Sequence, residues 1–100
     1  MVTNEPDESR YEITADDTLA GFAEYVRRGD NVIFTHTEID PAFGGRGLAT
    51  ELIRAALDDV RANELHAVPL CPFVVAFIDK HPGEYDDLVN QDALRALGPR

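Results

Sequence analysis

The sequence predicts a small α+β domain, and three observations carry that expectation. Strand-forming residues cluster before residue 40, a long amphipathic run starts at Gly47, and a second β-rich run, Leu65 to Cys71, follows it. A strand, a helix of about four turns and a strand make a crossover unit, which places the last two strands parallel. One hundred residues suffice for one core and not two. The chain divides into a flexible N-terminal tail over 1–9 and a single domain over 10–97.

Met1 to Ser9 is polar, carries Pro6 and shows no periodicity, the pattern of a flexible tail. Arg10 to Thr14 alternates Tyr11 and Ile13 as a strand does, and Ala15-Asp16-Asp17-Thr18 reads as a turn. Leu19 to Arg28 fits strand or helix, and its place between two strand signals favours strand. Arg28-Gly29-Asp30-Asn31 is a turn, and Val32 to Ile39, rich in β-branched and aromatic residues, is the clearest strand. Pro41 closes it.

From Gly47 onward Leu48, Leu52, Ala56 and Val60 form one apolar row, and Ala49, Ile53 and Leu57 an adjacent one, a stripe wide enough to cover a sheet. Glu51, Arg54, Asp58 and Arg61 make the wet face. In the strand Leu65 to Cys71, Pro69 cannot donate to a ladder, so there the strand is an edge or leaves its neighbour. Pro72 suits a first helical position, giving a short helix over Pro72 to Lys80 with Cys71 as its cap. His81-Pro82-Gly83 ends it, a last helix falls between Asp86 and Leu97, and Gly98-Pro99-Arg100 frays.

Composition excludes several classes. A formal charge of -10 argues against nucleic-acid or anionic-membrane partners and suits a cationic one. No apolar run has the length of a membrane span, and MVTNEPDESR lacks the features of a signal peptide, so a cytoplasmic protein is expected. The single cysteine, Cys71, is either a packed or a working thiol. No histidine, cysteine and acid spacing resembles a zinc site, so no metal is expected.

The stretch IDPAFGGRGLATELIRAALDDV, residues 39–60, sets Gly44, Gly45 and Gly47 directly ahead of the amphipathic helix. Free amides of residues 45 to 49 at a helix start can hold an anion, most naturally a phosphate, and absent side chains let it approach. A tight turn that binds nothing uses the same glycines. The pattern is neither a P-loop nor G-x-G-x-x-G.

Gly47-Leu48-Ala49 matches the second half of R/Q-x-x-G-x-G/A, the acetyl-CoA signature of the Gcn5-related N-acetyltransferases. With THTEIDP, GGRGLA and PLCPFVVAFIDKHP in order, the sequence resembles the very small YjdJ-type branch of that family over roughly residues 10 to 89. The resemblance implies a mostly antiparallel sheet in which two central parallel strands splay apart around the pantetheine arm. It further implies acetyl-CoA as cosubstrate, an amine acceptor, and CoA contacts at Gly44, Gly45, Arg46, Gly47, Leu48 and Ala49. Gly44 stands where the signature has Arg or Gln, which implies weaker hold on the pyrophosphate.

Acetyl transfer from a thioester needs an uncharged amine, a polarised carbonyl and a proton for the departing thiolate. Larger relatives often supply that proton from a tyrosine on the helix after the second parallel strand; here Phe77 and Ile78 stand there. Cys71, at a helix N-terminus that favours thiolate, is the substitute, as proton donor or as a nucleophile forming acetyl-cysteine; the alternative is a packed thiol. His36 shares strand parity with Val32 and Phe34 and is the candidate base, unless it merely hydrogen-bonds within the sheet. Glu38, on the same face, competes with it, and a bulge would break the parity. Arg46 and Arg54 are further candidates for CoA phosphates, Arg54 reading better as solvated helix charge. The expected function is direct acetyl transfer to an unidentified amine; the alternatives are an acyl-CoA-binding or sensing module and, third, a protein-interaction domain.

Overall fold

Alternating apolar and polar residues build one five-stranded sheet from β1 (Val2–Glu5), β2 (Arg10–Ala15), β3 (Thr18–Arg28), β4 (Asn31–Ile39) and β5 (His66–Pro69), in spatial order β1-β2-β3-β4-β5. The computed structural model describes residues 1–97; Gly98-Pro99-Arg100, read above as a frayed end, lies outside the described residues. Strands β1 to β4 are antiparallel in turn, and β5 joins β4 in parallel. Asp16 and Asp17, both left-handed with φ of 54° and 61°, make the β2–β3 turn, a conformation that aspartate tolerates.

Helix α1 (Leu48–Ala62) crosses one face between β4 and β5, and α2 (Pro72–Asp79) follows β5. The apolar stripe of α1 buries Leu52, Ile53, Ala56, Leu57 and Val60 against Tyr11, Ile13, Ala23, Tyr25 and Phe34. Val74 and Phe77 of α2 complete this core. Phe34 is fully buried at its centre, with the Tyr11 and Tyr25 rings 6.2 and 6.4 Å away. Among the described residues, no helix is long and apolar enough to cross a membrane.

The structure corrects four expectations. Residues 1–9 are not a loose tail: Val2–Glu5 pairs with Arg10–Ile13, and a 3-10 turn over Pro6–Glu8 leads into β2. That segment has no periodicity of its own, yet the free edge of β2 offers a ladder, and the Tyr25 hydroxyl donates to Asn4 Oδ1 at 2.7 Å. The parallel pair is at one side rather than central, because β5 is the last strand in the sheet. β5 ends at Pro69, two residues short of Cys71. The last helical region is split into a 3-10 turn, Asp86–Leu88, and α3 (Gln91–Leu97), whose start is capped by Asn90 Oδ1 accepting from the Ala93 amide.

Candidate active site

The strand that bears the site is paired on both sides for only half its length. β5 follows β4 over Asn31–Phe34, with Phe34 opposite Pro69. Pro69 has no N–H for the ladder, and the next two amides, of Leu70 and Cys71, both donate to the Phe34 carbonyl at 3.0 Å before the chain turns into α2. Among the described residues, positions 35–39 of β4 therefore have β3 alone as strand partner. The parallel strands part there, and the edge of β4 beyond Phe34 is left without a strand partner among the described residues.

A β-bulge decides which face each side chain takes along that edge. Tyr25 opposes Phe34 but Glu24 opposes His36, so Thr35 is the extra residue. Its effect overturns the parity of His36 with Val32 and Phe34. Thr37 turns to the core side, where the Cys71 thiol donates to its hydroxyl at 3.4 Å. His36 and Glu38 are exposed on the opposite face, His36 with its ring 6.2 Å from Phe22. Cys71 itself is buried and stands at the N-cap of α2, though its side chain makes no capping bond. Sequence reasoning missed Thr37, because a bulge leaves no signature in Thr-His-Thr.

At the same end of the sheet the glycine turn leads into α1. Asp40 Oδ1 accepts from the Ala42 amide at 2.9 Å and fixes the entry, the Asx turn that an Asp-Pro pair favours. Gly44 has φ -63°, open to any residue, and donates to the Pro41 carbonyl. Gly45 and Gly47 have φ of 79° and 73°, and a Cβ on either would meet no atom within 4 Å. Gly47 caps α1 without a side chain, and the amides of residues 45–50 have no protein acceptor among the described residues. Arg46 instead pairs with Asp16 at 3.1 Å and lies 5.5 Å from the Phe43 ring centre.

Beside the turn, Ala49, Thr50 and Ile53 of α1 and Pro72, Phe73 and Phe77 of α2 line a cleft of about 370 Å³. Its walls are mainly apolar, and it begins one residue from Cys71. The far half of α1 is closed off. Arg54 pairs with Glu84 at 2.6 Å and Arg61 with Asp87 at 2.9 Å, and both pairs stay exposed to solvent. The Tyr85 hydroxyl donates to Asp58, and burial followed by that bond pushes its pKa up to about 12.

A parallel pair that parts beside an uncapped glycine turn is the arrangement that the family resemblance implies. The family model of the GCN5-related N-acetyl-transferases matches residues 10–88. This chain belongs to that family. The comparisons do not extend to the YjdJ-type branch within it. Protein NATD1 of Bos taurus is 38% identical over 60 residues, covering 59% of this chain and 51% of that protein. The human protein of the same name is 37% identical over 60 residues with the same coverage. The chain thus spans about half the length of the curated relatives it matches.

Two solved structures share the fold. A GCN5-like protein from Staphylococcus aureus superposes with a TM-score of 0.67 at 20% identity, covering 100% of this chain and 90% of the other. The ribosomal-protein-S18-alanine N-acetyltransferase of Escherichia coli gives a TM-score of 0.62 at 15% identity, over 72% of this chain and 50% of that one. The mixed five-stranded sheet with three helices is therefore the acetyltransferase fold at small size.

Proposed function

We propose that the chain is an acetyl-CoA-dependent N-acetyltransferase that transfers acetyl directly to an amine within a ternary complex. One observation carries this reading: the donor-rich glycine turn, the mainly apolar cleft and the unpaired edge of β4 beyond Phe34 lie at one end of the sheet. Open space over Gly45 and Gly47, with free amides through residue 49, fits a pyrophosphate. The unpartnered edge of β4 gives a pantetheine amide backbone groups to bond. Acetyl-CoA would supply a thioester carbonyl and a thiolate leaving group.

The two faces of the sheet divide the proton work. On the open face, His36 or Glu38 takes the proton of the incoming amine as the C–N bond forms. On the core side, Cys71, positioned by Thr37, returns a proton to sulfur as the C–S bond breaks. The open face is acidic: Arg10 is committed to Glu12 at 2.6 Å, whereas Glu24 and Glu38 make no ion pair among the described residues. A cationic amine suits that face better than a neutral or acidic acceptor.

The second reading, a CoA-binding or sensing module, has one observation in its favour: Cys71 and His36 lie on opposite faces, so no single relay joins them. Calorimetric CoA titration and acetyl-CoA consumption with a panel of polyamines, small amines and lysine peptides separate the two. Turnover with a cationic amine supports transfer. Binding without turnover supports the module, and absence of binding overturns both.

A further inference from the structure

We infer that Lys80 reads the 3′-phosphate of CoA, so that this protein selects free CoA thioesters over donors lacking that phosphate. The inference rests on the CoA reading above and adds to it a specificity residue.

The cleft between α1 and α2 has an uneven lining. Its walls are Ile53, Pro72, Phe73 and Phe77, and one end carries Lys80 and His81. Lys80 is the single lysine of the chain. It stands exposed at the C-cap of α2 and makes no ion pair among the described residues. Arg46 and Arg54 of the glycine turn and α1 are already paired, with Asp16 and Glu84. His81 Nδ1 lies 2.7 Å from the Phe77 carbonyl, which accepts only, so Nδ1 carries the proton and Nε2 is the ring atom left for a ligand.

CoA has three phosphates. The glycine turn offers amides for the two of the pyrophosphate, and the third needs a partner further along the cleft. The C-terminal end of α2 presents carbonyls rather than amides, so an anion at that end of the cleft needs side-chain charge. Lys80 supplies it, on a stem long enough to follow a phosphate beyond the apolar walls. In a chain of formal charge -10, a free cation in this cleft is also a local exception to a repulsive field. The bland account, a lysine placed only to suit the helix dipole, predicts no discrimination between the two ligands.

The test titrates CoA and 3′-dephospho-CoA into wild type, Lys80→Gln and Arg28→Gln, the last removing a cation outside the cleft. Wild type is expected to bind CoA about tenfold more tightly than 3′-dephospho-CoA, equivalent to about 1.4 kcal/mol. Lys80→Gln should abolish that ratio with 3′-dephospho-CoA affinity unchanged, and Arg28→Gln should keep the ratio. Equal affinities in wild type, a ratio retained in Lys80→Gln, or an equal loss in both variants overturns the assignment. Failure of wild type to bind either ligand overturns the CoA reading itself.

Discussion

The two halves of β4, apolar Val32-Ile33-Phe34 and polar Thr35-His36-Thr37-Glu38, have opposite fates. Asn31–Phe34 is hydrogen-bonded to β3 and β5 and holds Val32, Ile33 and Phe34 buried. Residues 35–39, past the bulge and past Pro69, keep one neighbour and are mostly exposed or half-buried. Burial is concentrated in the first half and the candidate site residues in the second, and the hinge between them is one residue, Phe34, whose carbonyl collects the two amides that follow β5. A sheet that opens at a defined point exposes backbone polar groups without losing its core, because the ladder before that point remains closed.

The comparison breaks most directly at the closed half. Phe34→Ala removes a fully buried ring from the centre of the core and should destabilise the fold by about 3–5 kcal/mol in denaturant unfolding. A loss below about 1 kcal/mol would mean the core does not centre on Phe34.

The open half should respond in function instead. His36→Gln retains a polar group but removes a proton acceptor, and turnover should fall about a hundredfold, or about 2.7 kcal/mol, with CoA affinity unchanged. Cys71→Ala, on the opposite face, should also lower turnover while keeping CoA binding. Intact-mass measurement after acetyl-CoA alone should find no acetyl adduct on wild type if transfer is direct. Full turnover in His36→Gln shifts the base to Glu38, to be tested as Glu38→Gln.

A smaller effect is expected at the turn. Gly47→Asn keeps a residue that tolerates positive φ and puts a side chain where a pyrophosphate would lie, so CoA affinity should drop about tenfold with circular dichroism preserved. An unchanged affinity in the folded variant would place the phosphates elsewhere.

The smallest effect lies in pH. Tyr85 has its pKa raised, by burial and then by Asp58, from 10 to about 12. Its contribution is complete below pH 10, where both folded and unfolded forms keep the proton, and is lost as pH rises from 10 to 12, because the unfolded chain ionises first. Unfolding midpoints should fall across that window, and Tyr85→Phe should flatten the fall. Tyr11, buried and donating to Asp59, is shifted in the same direction and further.

Much of this contrast was legible in the sequence, for reasons local to the backbone. Two apolar rows at helical spacing fixed the face of α1, since a 3.6-residue period leaves one stripe to bury. Pro69 announced the point of departure of β5 because it lacks an N–H, and Gly45 and Gly47 announced a left-handed turn ahead of a helix because side chains disfavour that conformation. The family followed from the same turn and the segments flanking it.

Other features depend on partners distant in the chain, and only the tertiary structure decided them. Val2–Glu5 became a strand because β2 had a free edge. Gly21 allows close approach that residues near it do not announce, since a Cβ there would collide with the Ile39 side chain and the Glu38 carbonyl. Arg54 is tied to Glu84, thirty residues away. The bulge at Thr35 arose from the register of β3 against β4, and by inserting one residue it exchanged His36 for Thr37 on the core side. Local periodicity determines what a segment can be; register between segments, which has no period of its own in the sequence, determines which face each side chain takes.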